Sequence, residues 1–273
     1  MDTYPRQLTD AGSHKRISNS RGQGRGSNYL PWLTVRDVPS IGLSFRIKGW
    51  KSHRIHHLLS QLEANYFYTL EWSLMVTDIR EQYPLLPLSE TLQIASLKGI
   101  SHLTSPKTNQ PIVMTTDFLI TISQGMGVAE VARTIKPKQK LNSQRTREKL
   151  EIERCYWAKR NINWGIVTEQ EIPTVLAANI KWLHPFFDSQ FLNLPQEKLP
   201  AVKTLLTQLV QFKDTNLTQI ATDCDEQLHL PPGSSLSVAR HLIATRQWLV
   251  DMNQPIEPRE KLTLIAVNRE GTN

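Results

Sequence analysis

Apolar residues recur every three or four positions along residues 53–72, at Ile55, Leu58, Leu59, Leu62, Tyr66, Phe67 and Leu70. That spacing predicts a helix with one buried face. The pattern then shortens. Residues 76–86 read as a strand ended by Pro84 and Pro87, and residues 89–110 as a loop with at most an extra turn. Residues 112–122 form a β-rich run, 123–127 (Ser-Gln-Gly-Met-Gly) a turn, and 128–135 a return strand stopped by Pro137. Asn142 and Ser143 offer N-cap oxygens to a helix running to about Arg160. Residues 163–168 make a short buried strand. Beyond Pro173 the pattern is mostly helical, with helices expected at 175–187, 196–213, 217–228 and 235–250 and a terminal strand at 261–267. Pro231-Pro232-Gly233 separates the last two helices as in a helix–turn–helix, which predicts a winged-helix-type domain.

Charge divides the chain differently. Residues 1–57 carry ten Lys or Arg against three Asp or Glu, which is the whole net charge of +7. Residues 1–27 hold almost no apolar side chains, so they read as a basic flexible segment, followed by a domain over 28–173 and a helical domain over 174–273. A basic segment on a neutral body fits a phosphate-rich partner; a solvated tail is the plainer alternative. The two cysteines, Cys155 and Cys224, exclude a disulfide framework and any CxxC metal motif, and suit a reducing, cytoplasmic setting. No apolar run approaches the ~18 residues of a membrane span, and residues 1–27 contain no apolar stretch of the signal-peptide kind.

Three residues stand where ordinary packing does not put them. Glu63 lies on or beside the apolar stripe of its helix, Asp117 inside a β-rich run, and Lys136 at the end of the return strand. A turn centred between Gly125 and Met126 sets Asp117 opposite Thr134, with Lys136 diagonal to it. Taken singly, Glu63 reads equally as a rim carboxylate, Asp117 as the partner of a core arginine, and Lys136 as a solvated strand end. Together they suit phosphodiester hydrolysis, with two carboxylates for Mg²⁺ and a lysine for phosphate or water. Glu153, half-buried between Leu150 and Trp157, either supports that site or pairs with a basic residue. Arg133, Lys136, Lys138, Lys140, Arg145, Arg147 and Lys149, offset only by Glu148 within 133–149, read as a DNA-backbone surface; Lys138 is also a second-choice catalytic lysine.

The residues around these positions resemble a known family. Arg21-Gly-Gln-Gly-Arg-Gly26, Tyr29-Leu-Pro-Trp-Leu-Thr-Val35, His56-His-Leu-Leu-Ser60, Asp78-Ile-Arg-Glu-Gln-Tyr-Pro-Leu85, Thr116-Asp-Phe-Leu119, Ile135-Lys-Pro137 and Glu148-Lys-Leu-Glu-Ile-Glu153 resemble TnsA, the endonuclease subunit of heteromeric cut-and-paste transposases. The resemblance spans about residues 20–185. It implies an α/β (α+β) fold of the PD-(D/E)xK restriction-endonuclease type, a mixed sheet flanked by helices. It carries metal-binding carboxylates onto Glu63 and Asp117 and the catalytic lysine onto Lys136, with Mg²⁺ as the metal and Mn²⁺ as a substitute. It further implies cleavage of 5′ strand ends of a double-stranded transposon end, with the DDE-type transposase TnsB handling the 3′ ends. The AAA+ regulator TnsC would bind residues 174–273, and the protein would work at the nucleoid. Thr134 departs from the pattern, since many such nucleases have Glu or Gln two residues before the lysine. The hydroxyl is then a weak ligand at best, and the backbone carbonyl of Ile135 the alternative. Arg21, Arg25 and Arg36 are the first expected phosphate contacts. A stand-alone nuclease of the same fold, or a non-catalytic DNA-binding adaptor, are the competing readings.

Overall fold

Four strands build the central sheet of the first of two units, Met1–Ile172 and Pro173–Asn273, in a computed structural model that describes residues 11–38, 43–106, 108–125, 127–192 and 194–268. In chain order the first unit contains α1 (Ala11–Ser18), β1 (Phe45–Lys48), β2 (Ile55–Leu58), α2 (Gln61–Trp72), β3 (Val76–Pro84), α3 (Leu88–Leu97), β4 (Thr115–Gln124), β5 (Gly127–Ile135), α4 (Gln144–Ala158) and β6 (Asn163–Val167). The sheet order is β3-β4-β5-β6. The first three strands are antiparallel and β6 runs parallel to β5, so the sheet is mixed, as expected. Phe118 faces Arg133 and Leu119 faces Ala132, the register that the two-residue turn dictates.

Neighbouring residues of a strand point to opposite faces. Phe118 meets Tyr66 of α2, with ring centroids 5.7 Å apart. Leu119 and Ala132 pack with Ile94 of α3 and Ile152, Tyr156 and Trp157 of α4. Helices thus cover both faces, and α2 and α4 approach the same end of the sheet from opposite sides.

Three expectations for this unit change. The helix expected over 53–72 begins only at Gln61; Ile55–Leu58 instead pairs with β1 and buries His56 and Leu58 alternately. A four-residue run satisfies period two as well as period 3.6, and pairing decides. The supposed loop at 89–110 contains α3, whose Leu88, Thr91, Ile94 and Ala95 are buried at helical spacing. Residues 11–27, expected to be a flexible arm, comprise α1 and a glycine-turned loop held to the unit. Arg21 pairs with Asp37 at 2.7 Å, Arg25 with Glu130 at 2.8 Å, and the Gly26 N–H donates to Asp78. Residues 1–10 lie outside the described residues.

The second unit contains α5 (Thr174–Leu183), α6 (Leu199–Phe212), α7 (Leu217–Gln227) and α8 (Ser234–Ala244), then an antiparallel ribbon of β7 (Trp248–Leu249) and β8 (Ala266–Val267). The order α6, α7, α8 and then a ribbon is that of a winged helix, with α5 preceding it. The last helix stops at Ala244 rather than 250, because Arg246 takes a left-handed φ of 58° and Trp248 joins the ribbon. Only Ala266–Val267 of the expected 261–267 strand is a strand. Val238, Ala239, His241, Leu242, Ile243 and Ala244 are all buried. Arg240 lies over Trp182 and Phe186, 4.5 and 3.7 Å from the ring centroids, and donates to the Trp182 carbonyl. Burial holds its pKa down, at about 10. A recognition helix needs an open face, and α8 spends its basic residues on its own core.

Candidate active site

The end of the sheet reached by α2 and α4 encloses a cavity of about 450 Å³, lined by Glu63, Asp117, Thr134, Lys136, Lys149 and Glu153 among others. Each residue arrives there for a local reason. Ser60 caps α2, accepting from the Glu63 N–H at 3.1 Å, and the Glu63 carboxylate answers by accepting from Ser60 Oγ at 3.0 Å and the Leu59 N–H at 2.9 Å. This is a variant of the capping box, so Glu63 also serves its own helix. The β4–β5 ladder runs from the turn to Phe118 and Arg133 and stops one pair short of Asp117. There the Asp117 carboxylate replaces the ladder bond, accepting from the Ile135 N–H at 2.7 Å. The same oxygen accepts from Lys136 Nζ at 2.9 Å, and Nζ also donates to the Ile135 carbonyl at 2.9 Å.

Glu153 enters from α4. Its Oε1 accepts from Thr116 Oγ1 at 2.6 Å, from Trp164 Nε1 at 3.0 Å and from the Thr134 hydroxyl. Its other oxygen has no donor among the described residues. The two weaker ligand candidates already have protein partners here. The Thr134 hydroxyl is engaged with Glu153, and the Ile135 carbonyl accepts the Lys136 ammonium.

Two carboxyls here are hard to ionise. Burial, then the charge of Asp117, pushes Glu63 up to about 7. Burial also lifts Glu153 to about 7; its hydrogen bonds from Thr116 and Thr134 oppose this and the Asp117 charge adds to it. For Lys136, burial favours the neutral amine, but Asp117 and the other carboxylates outweigh it and hold the pKa above the ordinary lysine value. Lys149 is lowered, by burial and by Arg145 and Lys136. Carboxyls raised by burial and by a neighbouring carboxylate are groups whose ionised form a bound cation favours.

The basic residues divide. Lys140 and Lys149 line the cavity, and neither side chain has an ion-pair or hydrogen-bond partner among the described residues. Lys138 and Arg36 are exposed and lie outside the cavity lining. Arg133 instead crosses β6, donating to the Asn163 and Ala132 carbonyls. Arg145 ties α4 to the carbonyls of Ser101 and His102, and Arg147 caps the turn at Leu141 and Asn142. Arg21 and Arg25 are engaged by Asp37 and Glu130.

Other residues found at or beside the site left no mark in the sequence pattern. Gln82 of β3 donates to Glu63, and Trp164 and Thr116 anchor Glu153. Behind them Glu81, fully buried, accepts both Arg54 nitrogens, His56 Nδ1 and the His57 N–H, fastening β2 to β3. Burial alone would raise Glu81, but His56 and Arg54 hold its carboxyl far below the ordinary range. Charged residues packed into the β3 run (Asp78, Arg80, Glu81) were the available signal of a buried polar network.

No group of three or more His, Cys, Asp or Glu is arranged for a metal among the described residues, and no described helix is long and apolar enough to cross a membrane. A family model described as TnsA-like endonuclease N terminal matches residues 73–169, a span holding Asp117, Lys136 and Glu153. A second, TnsA endonuclease C terminal, matches residues 171–252. The chain is 43% identical over 230 residues to the transposon Tn7 transposition protein TnsA of Escherichia coli, covering 84% of this chain and 82% of that protein. With both halves of the family matched in order, the first of them on the mixed sheet, the chain belongs to the TnsA endonucleases of DNA transposition.

Proposed function

We propose that the first unit is a Mg²⁺-dependent nuclease that hydrolyses the 5′ strand ends of a transposon within an assembly that contains a DDE-type transposase, TnsB, acting on the 3′ ends. The observation that carries this reading is the convergence of Glu63, Asp117 and Lys136 in one cavity with Lys140 and Lys149, whose side chains have no partner among the described residues.

The donor set fits Mg²⁺. That ion is held by one or two carboxylates, with waters and substrate phosphates completing its shell; Glu63 and Asp117 are the two carboxylates, and Mn²⁺ accepts the same ligands. When bound, the metal supplies a water of lowered pKa and charge neutralisation at the phosphate. This chain's own residues do the rest. Asp117 is held in place by the Ile135 N–H. Lys136 sits on Asp117 and the Ile135 carbonyl, from which its ammonium reaches a phosphate oxygen or the attacking water. Lys140 and Lys149 meet flanking phosphates, with Lys138 and Arg36 as outer contacts. Glu153, anchored through Oε1, leaves its other oxygen for a cavity water. Arg21 and Arg25 are contacts only where DNA displaces Asp37 and Glu130.

The second unit reads as a protein-docking module for the AAA+ regulator TnsC. Its residues 174–273 carry nine basic against ten acidic side chains, and α8 has no open basic face. The protein would act in the cytoplasm, on nucleoid DNA.

The test is cleavage of a transposon-end duplex with Mg²⁺ and the partner proteins. Asp117→Ala should lose metal binding and 5′ cleavage. Lys136→Ala should keep metal and DNA binding and lose 5′ cleavage, while 3′ joining continues in both. Near-native 5′ cleavage by Lys136→Ala would refute the assignment and turn attention to Lys138.

A further inference from the structure

Within β3, Gln82 has a left-handed φ of 48°, a conformation that a non-glycine residue rarely takes inside a strand. Its neighbours keep the regular register: Glu81 faces Phe118 and Tyr83 faces Thr116. The break is therefore confined to one residue, and that residue stands opposite Asp117. On the other side of β4, the ladder to β5 also stops at Asp117.

Gln82 is 2% exposed, and both ends of its amide are used. Nε2 donates to Glu63 Oε2 at 3.3 Å, and Oε1 accepts from Thr115 Oγ1 at 3.2 Å. The backbone carbonyl accepts from the Trp32 N–H at 3.2 Å. The Glu63 carboxylate has two other donors, the Leu59 N–H and Ser60 Oγ, and both belong to the start of its own helix. Among the described residues Gln82 is thus the donor that ties this carboxylate to the sheet, at the level of Asp117. Backbone strain kept in place at a polar, buried position marks a constraint on geometry.

We infer that Gln82 is a positioning residue that sets the aim of Glu63 relative to Asp117, and with it the affinity of the two-carboxylate site for its divalent cation; this rests on the metal-site reading above. Groups that orient a ligand from behind are worth 10–100-fold in metal affinity.

The test compares Gln82→Met, which keeps length and removes both amide bonds, with Gln82→Gly, which relaxes the backbone and removes the side chain. Asp117→Ala is the control for the site itself. Three readouts are taken on the full-length protein: Mn²⁺ binding by calorimetry, the Mg²⁺ concentration for half-maximal cleavage of a transposon-end duplex with its partner proteins, and the melting temperature without metal. Both variants should bind Mn²⁺ about tenfold more weakly and need correspondingly more Mg²⁺. Their cleavage should recover at saturating Mg²⁺, and their DNA affinity should be unchanged. Gln82→Gly keeps the test valid should the Met side chain disturb folding. Unchanged Mn²⁺ affinity in either folded variant overturns the inference, as does a fall in cleavage that tracks melting temperature and is not recovered by metal. Should Asp117→Ala still bind metal and cut, it is the site reading that has failed, and the inference falls with it.

Discussion

Replacing Glu153 by Gln should make the metal-free protein more stable at pH 8 and barely change it at pH 5. The side chain is 4% exposed and its pKa rises from 4.5 to about 7, chiefly through burial. Between those two values the native carboxyl holds its proton while the unfolded one has released it. Native protein then binds more protons, so stability falls as pH rises from about 4.5 to 7 and stays low above that. The shift corresponds to about 3 kcal/mol of lost stability at pH 8. A glutamine keeps the carbonyl oxygen that Thr116, Thr134 and Trp164 need and never ionises. The expected gain is about 3 kcal/mol at pH 8 and under about 1 kcal/mol at pH 5. Glu63 titrates in the same range but is present in both proteins, so the difference between them isolates Glu153. The assay is urea unfolding at the two pH values without divalent ions, read by hydrogen exchange at the β4 amides. No gain at pH 8, or an equal gain at both, would refute the reasoning; the second would mean repacking and not titration.

Glu81→Ala should leave Arg54, 8% exposed at its side chain, without its carboxylate, and cost about 3–5 kcal/mol in chemical unfolding. Lys140→Ala and Lys149→Ala should each reduce the slope of log affinity against log salt for duplex DNA by about 0.9, independently of sequence; an unchanged slope removes that lysine from the interface. At Gly22, φ is 78° and an added Cβ would stand 2.2 Å from the Pro84 ring. Gly22→Ala should therefore lower the melting temperature by more than the effect of about 1 kcal/mol usual for a glycine exchange. Arg240→Ala should lower the stability of the second unit, which loses two ring contacts and a carbonyl bond. Duplex affinity should stay the same; a drop would restore α8 as a DNA-reading helix.

Much of the chain's organisation was determined locally and is legible in the sequence. The two-residue turn after Gln124 leaves one register for β4 and β5, so arithmetic brings Asp117 and Thr134 together just beyond the last ladder pair, Phe118 and Arg133. Ser143 caps α4 as its side chain predicts, accepting from the Thr146 N–H. An aspartate in a β run and a lysine before a proline were visible as anomalies. The tertiary structure decided the remainder. Residues 55–58 suit a helix or a strand until β1 supplies ladder partners. Leu88, Ile94 and Ala95 carry the helical spacing of α3, but polar neighbours blur it until α4 covers that face. Arg21 and Arg25 read as free cations along the chain, yet their acids stand 16 and 105 residues away. Gln82, Thr116 and Trp164 look ordinary in sequence, and gain meaning only where β3, β4, β6 and α4 converge. Turn geometry and capping act over two to four residues and leave a pattern in the sequence, whereas a buried carboxylate is satisfied by whichever donors folding brings within 3 Å, which no local spacing records.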